Sequence, residues 1–151
     1  MQLLIINGAN LNLLGQRESS VYGNTSFDSY LVSLKERYNL FTLDYFQSNV
    51  EGEIVDAIQD AEKNYDGIIL NAGGYSHTSV VIADAIRAIS VDVIEVHISN
   101  ILAREEFRHI SMIAPVAKGS IFGFGLDGYR LAIEAFIHKL SSQILLQEIL
   151  G

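Results

Sequence analysis

The side chains of this chain that could do chemistry fall in three polar segments. The first runs Asn7-Gly8-Ala9-Asn10-Leu11-Asn12-Leu13-Leu14-Gly15-Gln16-Arg17-Glu18-Ser19-Ser20-Val21-Tyr22-Gly23 and is rich in amides, with one arginine and one tyrosine. The second is Asn71-Ala72-Gly73-Gly74-Tyr75-Ser76-His77-Thr78-Ser79. The third is Glu95-Val96-His97-Ile98-Ser99-Asn100, followed by Arg104 and Arg108. Tyrosine, histidine, arginine and asparagine together suit removal of a proton beside a carbonyl. A base takes the proton, a polar pocket holds the enolate, and an acid protonates the leaving group. A tyrosine base starts near pKa 10, so full ionisation at pH 7 needs roughly 4 kcal/mol of differential stabilisation. A nearby guanidinium favours the phenolate, and Arg17, five residues before Tyr22, is the natural source.

Other chemistries fit less well. Gly123-Phe124-Gly125-Leu126-Asp127-Gly128 has the G-x-G-x-x-G spacing, but too few residues follow it for the further parallel strand that a dinucleotide site needs. Lys118-Gly119-Ser120 lacks the glycine frame of a phosphate loop. A phospho-receiver would want acids where Asn7 and Asn71 stand. Glu95 and His97 share a strand face and could be two metal ligands, with no obvious third. An imine-forming lyase needs a pocket lysine; Lys35, Lys63 and Lys139 lie on expected helices, and Lys118 precedes an expected strand. His109 and His138 read as surface or packing residues.

These segments need elements to position them. Leu3 to Ile6, Leu40 to Phe46, Gly67 to Leu70, Val91 to Ile98 and Ser120 to Phe122 read as strands, mostly apolar runs. Phe27, Leu31, Leu34 and Tyr38 fall at helical spacing, with Lys35, Glu36 and Arg37 opposite them. Ile54, Ile58, Ala61 and Tyr65 mark a second helix over roughly 51–65. Val81, Ala85 and Ile89 mark a third, Arg104 to Phe107 a short turn, and Tyr129 to Gln147 a long closing helix. Near-continuous apolar strands alternating with helices predict a parallel sheet covered on both faces. The expected fold is a flavodoxin-like, doubly wound, five-stranded α/β sheet in three layers, forming a single domain over 1–151. Ligands of such sheets sit beyond the carboxyl ends of the strands, which is where the polar segments fall.

Composition limits the partners. The 151 residues carry 10 Lys and Arg against 18 Asp and Glu, a formal charge of −8. Such a field disfavours nucleic acid and anionic membranes, so an anionic ligand must be held by a few placed groups. There is no cysteine, hence no disulfide, thiolate metal site or cysteine nucleophile. The opening Met1-Gln2-Leu3-Leu4-Ile5-Ile6-Asn7 is unlike a signal peptide, and a cytoplasmic location is expected.

Asn7 to Gly15 with Arg17-Glu18 and Tyr22-Gly23 closely resembles the opening of the type II 3-dehydroquinate dehydratases. So do Asn71 to Ser79, Glu95 to Asn100, Ala103-Arg104-Glu105-Glu106-Phe107-Arg108, and Gly119 to Gly125 with Gly128-Tyr129. The resemblance runs from about residue 3 to 136. It implies a flavodoxin-like fold and trans-elimination of water from 3-dehydroquinate to give 3-dehydroshikimate, a step of the shikimate pathway in aromatic amino acid biosynthesis, without a cofactor or metal. It implies that Tyr22 is the base, that Arg17 on a lid depresses the tyrosine pKa, and that Asn10 helps hold the enolate oxygen. His97 would protonate the departing hydroxyl, with Glu95 as its orienter. Asn71 would position His97 or the substrate, Ile98 and Ser99 would hold the carboxylate, and His77 and Arg108 would bind ring hydroxyls. The resemblance also implies a homododecamer built as a tetramer of trimers, with Asp84 reaching a neighbouring subunit's site.

The departures from the family pattern are lost prolines, at Ala9, Ser19 and Ala72; Pro115 is the only proline. Each loss adds unfolded-chain entropy, worth up to about 1 kcal/mol. The alternative reading is a catalytically silent small-molecule binding module on the same fold. It would keep His77, Ser99 and Arg108 but would not need Tyr22 beside Arg17.

Overall fold

The computed structural model describes residues 1–16 and 25–150. Five strands, β1 (Gln2–Asn7), β2 (Thr42–Gln47), β3 (Gly67–Asn71), β4 (Asp92–His97) and β5 (Gly119–Phe122), form one sheet in the order β2-β1-β3-β4-β5. Every pairing is parallel. The chain winds outward in one direction from β1 to β2 and in the other from β1 through β3 to β5. Strand order therefore reverses beside β1, and the crevice of a doubly wound sheet opens there.

The alternation of side chains along β1 sorts the core into two layers. Leu3 and Ile5 face α1 (Phe27–Arg37) and α4 (Asp127–Leu150), packing with Phe27, Leu31, Leu34, Ile133 and Phe136. Leu4 and Ile6 face α2 (Glu51–Ala61) and α3 (Val80–Ala88), packing with Ile54, Ile58, Ile82 and Ile86. Each such buried aliphatic side chain contributes about 1.5–3 kcal/mol relative to exposure. Ser26 starts α1 by accepting the N–H of Ser29 at 3.2 Å, and Ser79 starts α3 by accepting that of Ile82 at 3.1 Å. Among the described residues, no helix is long and apolar enough to cross a membrane.

Two glycines mark close approaches. A Cβ on Gly8, just past β1, would collide with the backbone carbonyl of Ala72, just past β3. A Cβ on Gly67, at the start of β3, would collide with the Phe136 ring of α4.

Several expected boundaries and phases differ. The second helix ends at Ala61 rather than near 65, because Glu62, Lys63 and Asn64 donate to the carbonyls three residues back, at 3.3, 3.4 and 3.1 Å, and close it in a tighter turn; the Glu62 side chain accepts the N–H and hydroxyl of Ser90 at 2.8 and 2.6 Å. The second strand begins at Thr42, since Leu40 lies in the turn after α1, 88% exposed. On α3 it is Ile82, Ala83, Ala85 and Ile86 that are buried, while Val81 points outward. The short turn expected at Arg104 to Phe107 is two 3-10 turns, Ile101–Ala103 and Glu106–Arg108. The closing helix starts at Asp127 and runs to Leu150, with its last buried side chain at Phe136.

Candidate active site

The carboxyl ends of β1 and β3 meet at the crevice with an asparagine each, Asn7 opposite Asn71. Gly8 N–H donates to the Asn71 carbonyl at 2.7 Å, which requires the tight crossing just described. The Tyr129 hydroxyl rises from α4 between the two amides. It donates to Asn7 Oδ1 at 2.7 Å and accepts from Asn71 Nδ2 at 2.8 Å. Asn71 Oδ1 accepts the Gly73 N–H at 3.2 Å, so this amide is fixed at both ends. The cluster carries no charge, and burial pushes the Tyr129 phenol far above its ordinary value.

The end of β4 differs. Glu95 and His97, two residues apart on one strand face, are 1% and 5% exposed. His97 Nε2 lies 2.8 Å from Glu95 Oε1. The Ser111 hydroxyl donates to the same oxygen at 2.5 Å, and that of Ser120 to Oε2 at 2.6 Å. Burial pushes the Glu95 carboxyl up, but the hydrogen bond and charge of His97 and the two hydroxyls outweigh it, leaving the group below the usual carboxylate range. Glu95 thus stays ionised, and with Nε2 engaged, Nδ1 of His97 is the nitrogen left for a ligand. The glycine-rich loop after β5 braces this end, with Gly123 and Gly125 N–H donating to the carbonyls of His97 and Ile98 at 3.3 and 2.9 Å. That is the structural use of a segment whose spacing resembles a nucleotide motif.

Above these strand ends lies a cavity of about 150 Å³. It is smaller than the roughly 300–1,000 Å³ clefts of drug-sized ligands, and so suits a small ring. Asn10, Asn71, His77, His97, Ile98, Ser99 and Arg108 line it, as does Arg104, and Leu11, Leu13, Leu14 and Ile101 supply apolar wall. No carboxylate lines it among the described residues, although the chain is acidic overall. The His77 and His97 rings stack at 5.8 Å between centroids. His77 Nδ1 meets the Ile110 carbonyl at 2.7 Å, which fixes its proton there and leaves Nε2 able to accept. Asn10 holds a left-handed backbone at φ 69°, a conformation asparagine tolerates, with its N–H on Asn49 Oδ1 at 3.0 Å. Arg108 Nε is 2.9 Å from Glu105, and Arg104 Nε is 3.4 Å from the same carboxylate, so one acid outside the cavity steadies both cations.

Of the residues expected from sequence, Asn10, Asn71, His77, His97, Ile98, Ser99 and Arg108 are brought together, and Glu95 stands directly behind His97. Asp84 is not at this cavity. It is exposed on α3 and paired with Arg87 at 2.8 Å. Arg17 and Tyr22 lie outside the described residues. Sequence reasoning did not assign roles to Arg104, Asn7, Tyr129, Ser111 or Ser120. Arg104 had a signal in its segment with Arg108, and Asn7 in opening the first polar segment; Tyr129, Ser111 and Ser120 are recruited from distant elements. Among the described residues no group of three or more histidine and acidic side chains could hold a metal ion, and the Glu95–His97 pair is completed by serines instead.

The family model described as dehydroquinase class II matches residues 1–137. A 3-dehydroquinate dehydratase of Bacillus licheniformis is 52% identical over 142 residues, covering 90% of this chain and 95% of that protein. The crystal structure of a type II dehydroquinase from Butyrivibrio crossotus superposes with a TM-score of 0.85 at 48% identity, over 90% of this chain and 97% of that one. A type II dehydroquinase from Propionibacterium acnes gives 0.84 at 39% identity, over 88% and 93%. Matched over nearly its whole described length in both sequence and fold, the chain belongs to the class II dehydroquinase family.

Proposed function

We infer that this chain, acting as one catalytic domain over 1–151, eliminates water from 3-dehydroquinate to give 3-dehydroshikimate. The family is that of the type II 3-dehydroquinate dehydratases, hydro-lyases of the shikimate pathway. The observation that carries the reading is the buried Glu95–His97 pair at the floor of a cavity lined by two arginines and no carboxylate among the described residues.

The steps follow from the chemistry of a ketone whose leaving hydroxyl sits two carbons from the carbonyl carbon, next to the carbon that loses its proton. The Tyr22 phenolate, favoured by Arg17, takes a proton from the carbon beside the ketone. The C–H electrons move into an enolate, whose oxygen is held with the help of Asn10. The enolate then returns its electrons to form the carbon–carbon double bond, expelling the hydroxyl. His97 gives that hydroxyl its proton, so it leaves as water, and Glu95 stabilises the imidazole through the exchange. Ile98 and Ser99 hold the carboxylate, His77 and Arg108 the ring hydroxyls, and Asn71 the position of His97 or the substrate. Lining of Arg104 and Arg108 gives a net-acidic chain a locally positive pocket for an anion. No cofactor or metal enters these steps.

The test is ultraviolet absorbance of the conjugated enone on adding 3-dehydroquinate. Wild-type protein should produce it in the presence of chelator, and Tyr22→Phe should lose about a hundredfold to ten-thousandfold in rate. Arg17→Ala should cost a comparable factor, and the two losses should not add, because both disable one base. Wild-type protein without enone formation would leave the silent binding module, and a Tyr22→Phe enzyme within threefold of wild type would remove that residue from the mechanism.

The assembly reading is a homododecamer, a tetramer of trimers, in the cytoplasm. Asp84 and the exposed Val80 and Val81 on α3 supply a face for a neighbouring subunit. Sedimentation should give a closed oligomer far above the 16.7 kDa chain; a fully active monomer would overturn this.

A further inference from the structure

Ser111 lies in the turn that follows the arginine segment, and its hydroxyl has three partners. It accepts the N–H of Ile113 at 3.1 Å and of Ala114 at 3.0 Å, and stands 2.5 Å from Glu95 Oε1. A hydroxyl has one proton and two acceptor sites. Backbone donors occupy both acceptor sites, so the proton can go only to the carboxylate. Ser120 reaches the other oxygen from β5, at 2.6 Å. The His97 ring therefore rests on a carboxylate whose two oxygens are each pinned by a serine from a different element.

We propose that Ser111 and Ser120 are positioning residues for the elimination step, acting through Glu95 to hold the His97 ring and its proton in place for the departing hydroxyl. The proposal rests on the reading of His97 as the acid. A carboxylate held by the histidine alone would be free to rotate about its last torsion, or to take the histidine proton for itself. With a donor on each oxygen it does neither, and the buried charge is satisfied without drawing on the histidine. The arrangement repeats, around an acid, the way outer hydrogen bonds orient a metal-bound histidine.

The experiment measures two rates on the full-length protein: enone formation, and deuterium uptake at the carbon beside the ketone. Ser120→Ala is the primary variant, because Ser120 sits at the exposed sheet edge. Ser111→Ala also strips an acceptor from two backbone N–H groups, so Ser111→Thr, which retains a hydroxyl, accompanies it. We expect Ser120→Ala and Ser111→Ala each to slow enone formation about tenfold, with deuterium uptake and KM within twofold of wild type. Ser111→Thr should recover most of the loss, and neither alanine change should slow a His97→Ala enzyme further. Ser120→Ala at the wild-type rate, or a loss shared equally by both rates, overturns the proposal while leaving His97 as the acid. A serine effect undiminished in the His97→Ala background also overturns it. Unimpaired elimination by His97→Ala alone is a different failure: it removes the acid assignment, and the proposal falls with it.

Discussion

Two polar clusters support the same cavity, and they are built on opposite principles. Under β1 and β3, Asn7, Tyr129 and Asn71 form a neutral set in which donors meet acceptors and no group is ionised. Under β4 and β5, Glu95, His97, Ser111 and Ser120 surround a charge. The neutral cluster is buried throughout, whereas in the charged one Glu95 and His97 are buried, Ser111 is half-buried and Ser120 lies exposed at the sheet edge. The neutral cluster holds two strand ends in register and presents one amide, Asn71, to the cavity. The charged cluster keeps a carboxylate ionised inside the protein, which low dielectric permits only with several donors. A neutral network fixes shape across the whole pH range in which proteins work, whereas a charged one can exchange a proton with a ligand.

The largest effect that separates the two comes from His97→Ala. It should lower enone formation by about a hundredfold to ten-thousandfold while proton exchange beside the ketone partly survives. Comparable loss of both rates would show that the charged cluster serves the first step as well. Tyr129→Phe should act on the fold rather than on the chemistry. It leaves the Asn7 and Asn71 amides without their shared partner, at about 1–3 kcal/mol, read as a lower urea midpoint, with turnover per folded molecule far less affected than by His97→Ala. A turnover loss as large as that of His97→Ala would show that the neutral cluster takes part in the chemistry too.

The smallest effects are in the pH dependence of stability, and they fall at opposite ends. Glu95 is held below its ordinary value of 4.5, so its contribution is complete above that pH and is lost as the pH falls through the folded value. Tyr129 is held above its ordinary value of 10.0, so its contribution is complete below that pH and is lost as the pH rises towards the folded value. Glu95→Gln should make the acid limb shallower and leave the alkaline limb unchanged, and Tyr129→Phe the reverse, with the remaining slope of each limb carried by other shifted carboxyls and tyrosines. Urea midpoints across pH check both, and a variant that flattens the wrong limb contradicts the assignment of charge.

The difference between the clusters also explains what could be read in the sequence. Glu95 and His97 are two residues apart, so strand period alone puts them on one face. The strands themselves were legible because burial on both faces makes Leu3 to Ile6 and Ile68 to Leu70 apolar without interruption. The phase of α3 was not, since Val80-Val81-Ile82-Ala83 offers no polar residue to mark the outer side. Tyr129 reaches Asn7 across 122 positions and Asn71 across 58, and Ser120 reaches Glu95 across 25. Nothing local marks such pairs. A serine in a turn and a tyrosine at the start of a helix have ordinary local explanations, and only the folded sheet makes them partners of the site. The motifs that carry the resemblance gave Glu95 its place behind His97 and contain Asn7, Ser120 and Tyr129, but they did not show which of these residues meet in space.

The two crowded glycines make different genetic forecasts. Any side chain at position 8 meets a main-chain carbonyl, which no second-site change of side chain can remove, so Gly8→Ala should have no suppressor within the neighbouring packing. Any side chain at position 67 meets the ring of Phe136 and, less closely, the end of the Leu3 side chain, and both are side chains that can be made smaller. In a selection for revertants of Gly67→Ala, aliphatic replacements at Phe136 should return repeatedly, whereas revertants of Gly8→Ala should restore glycine itself.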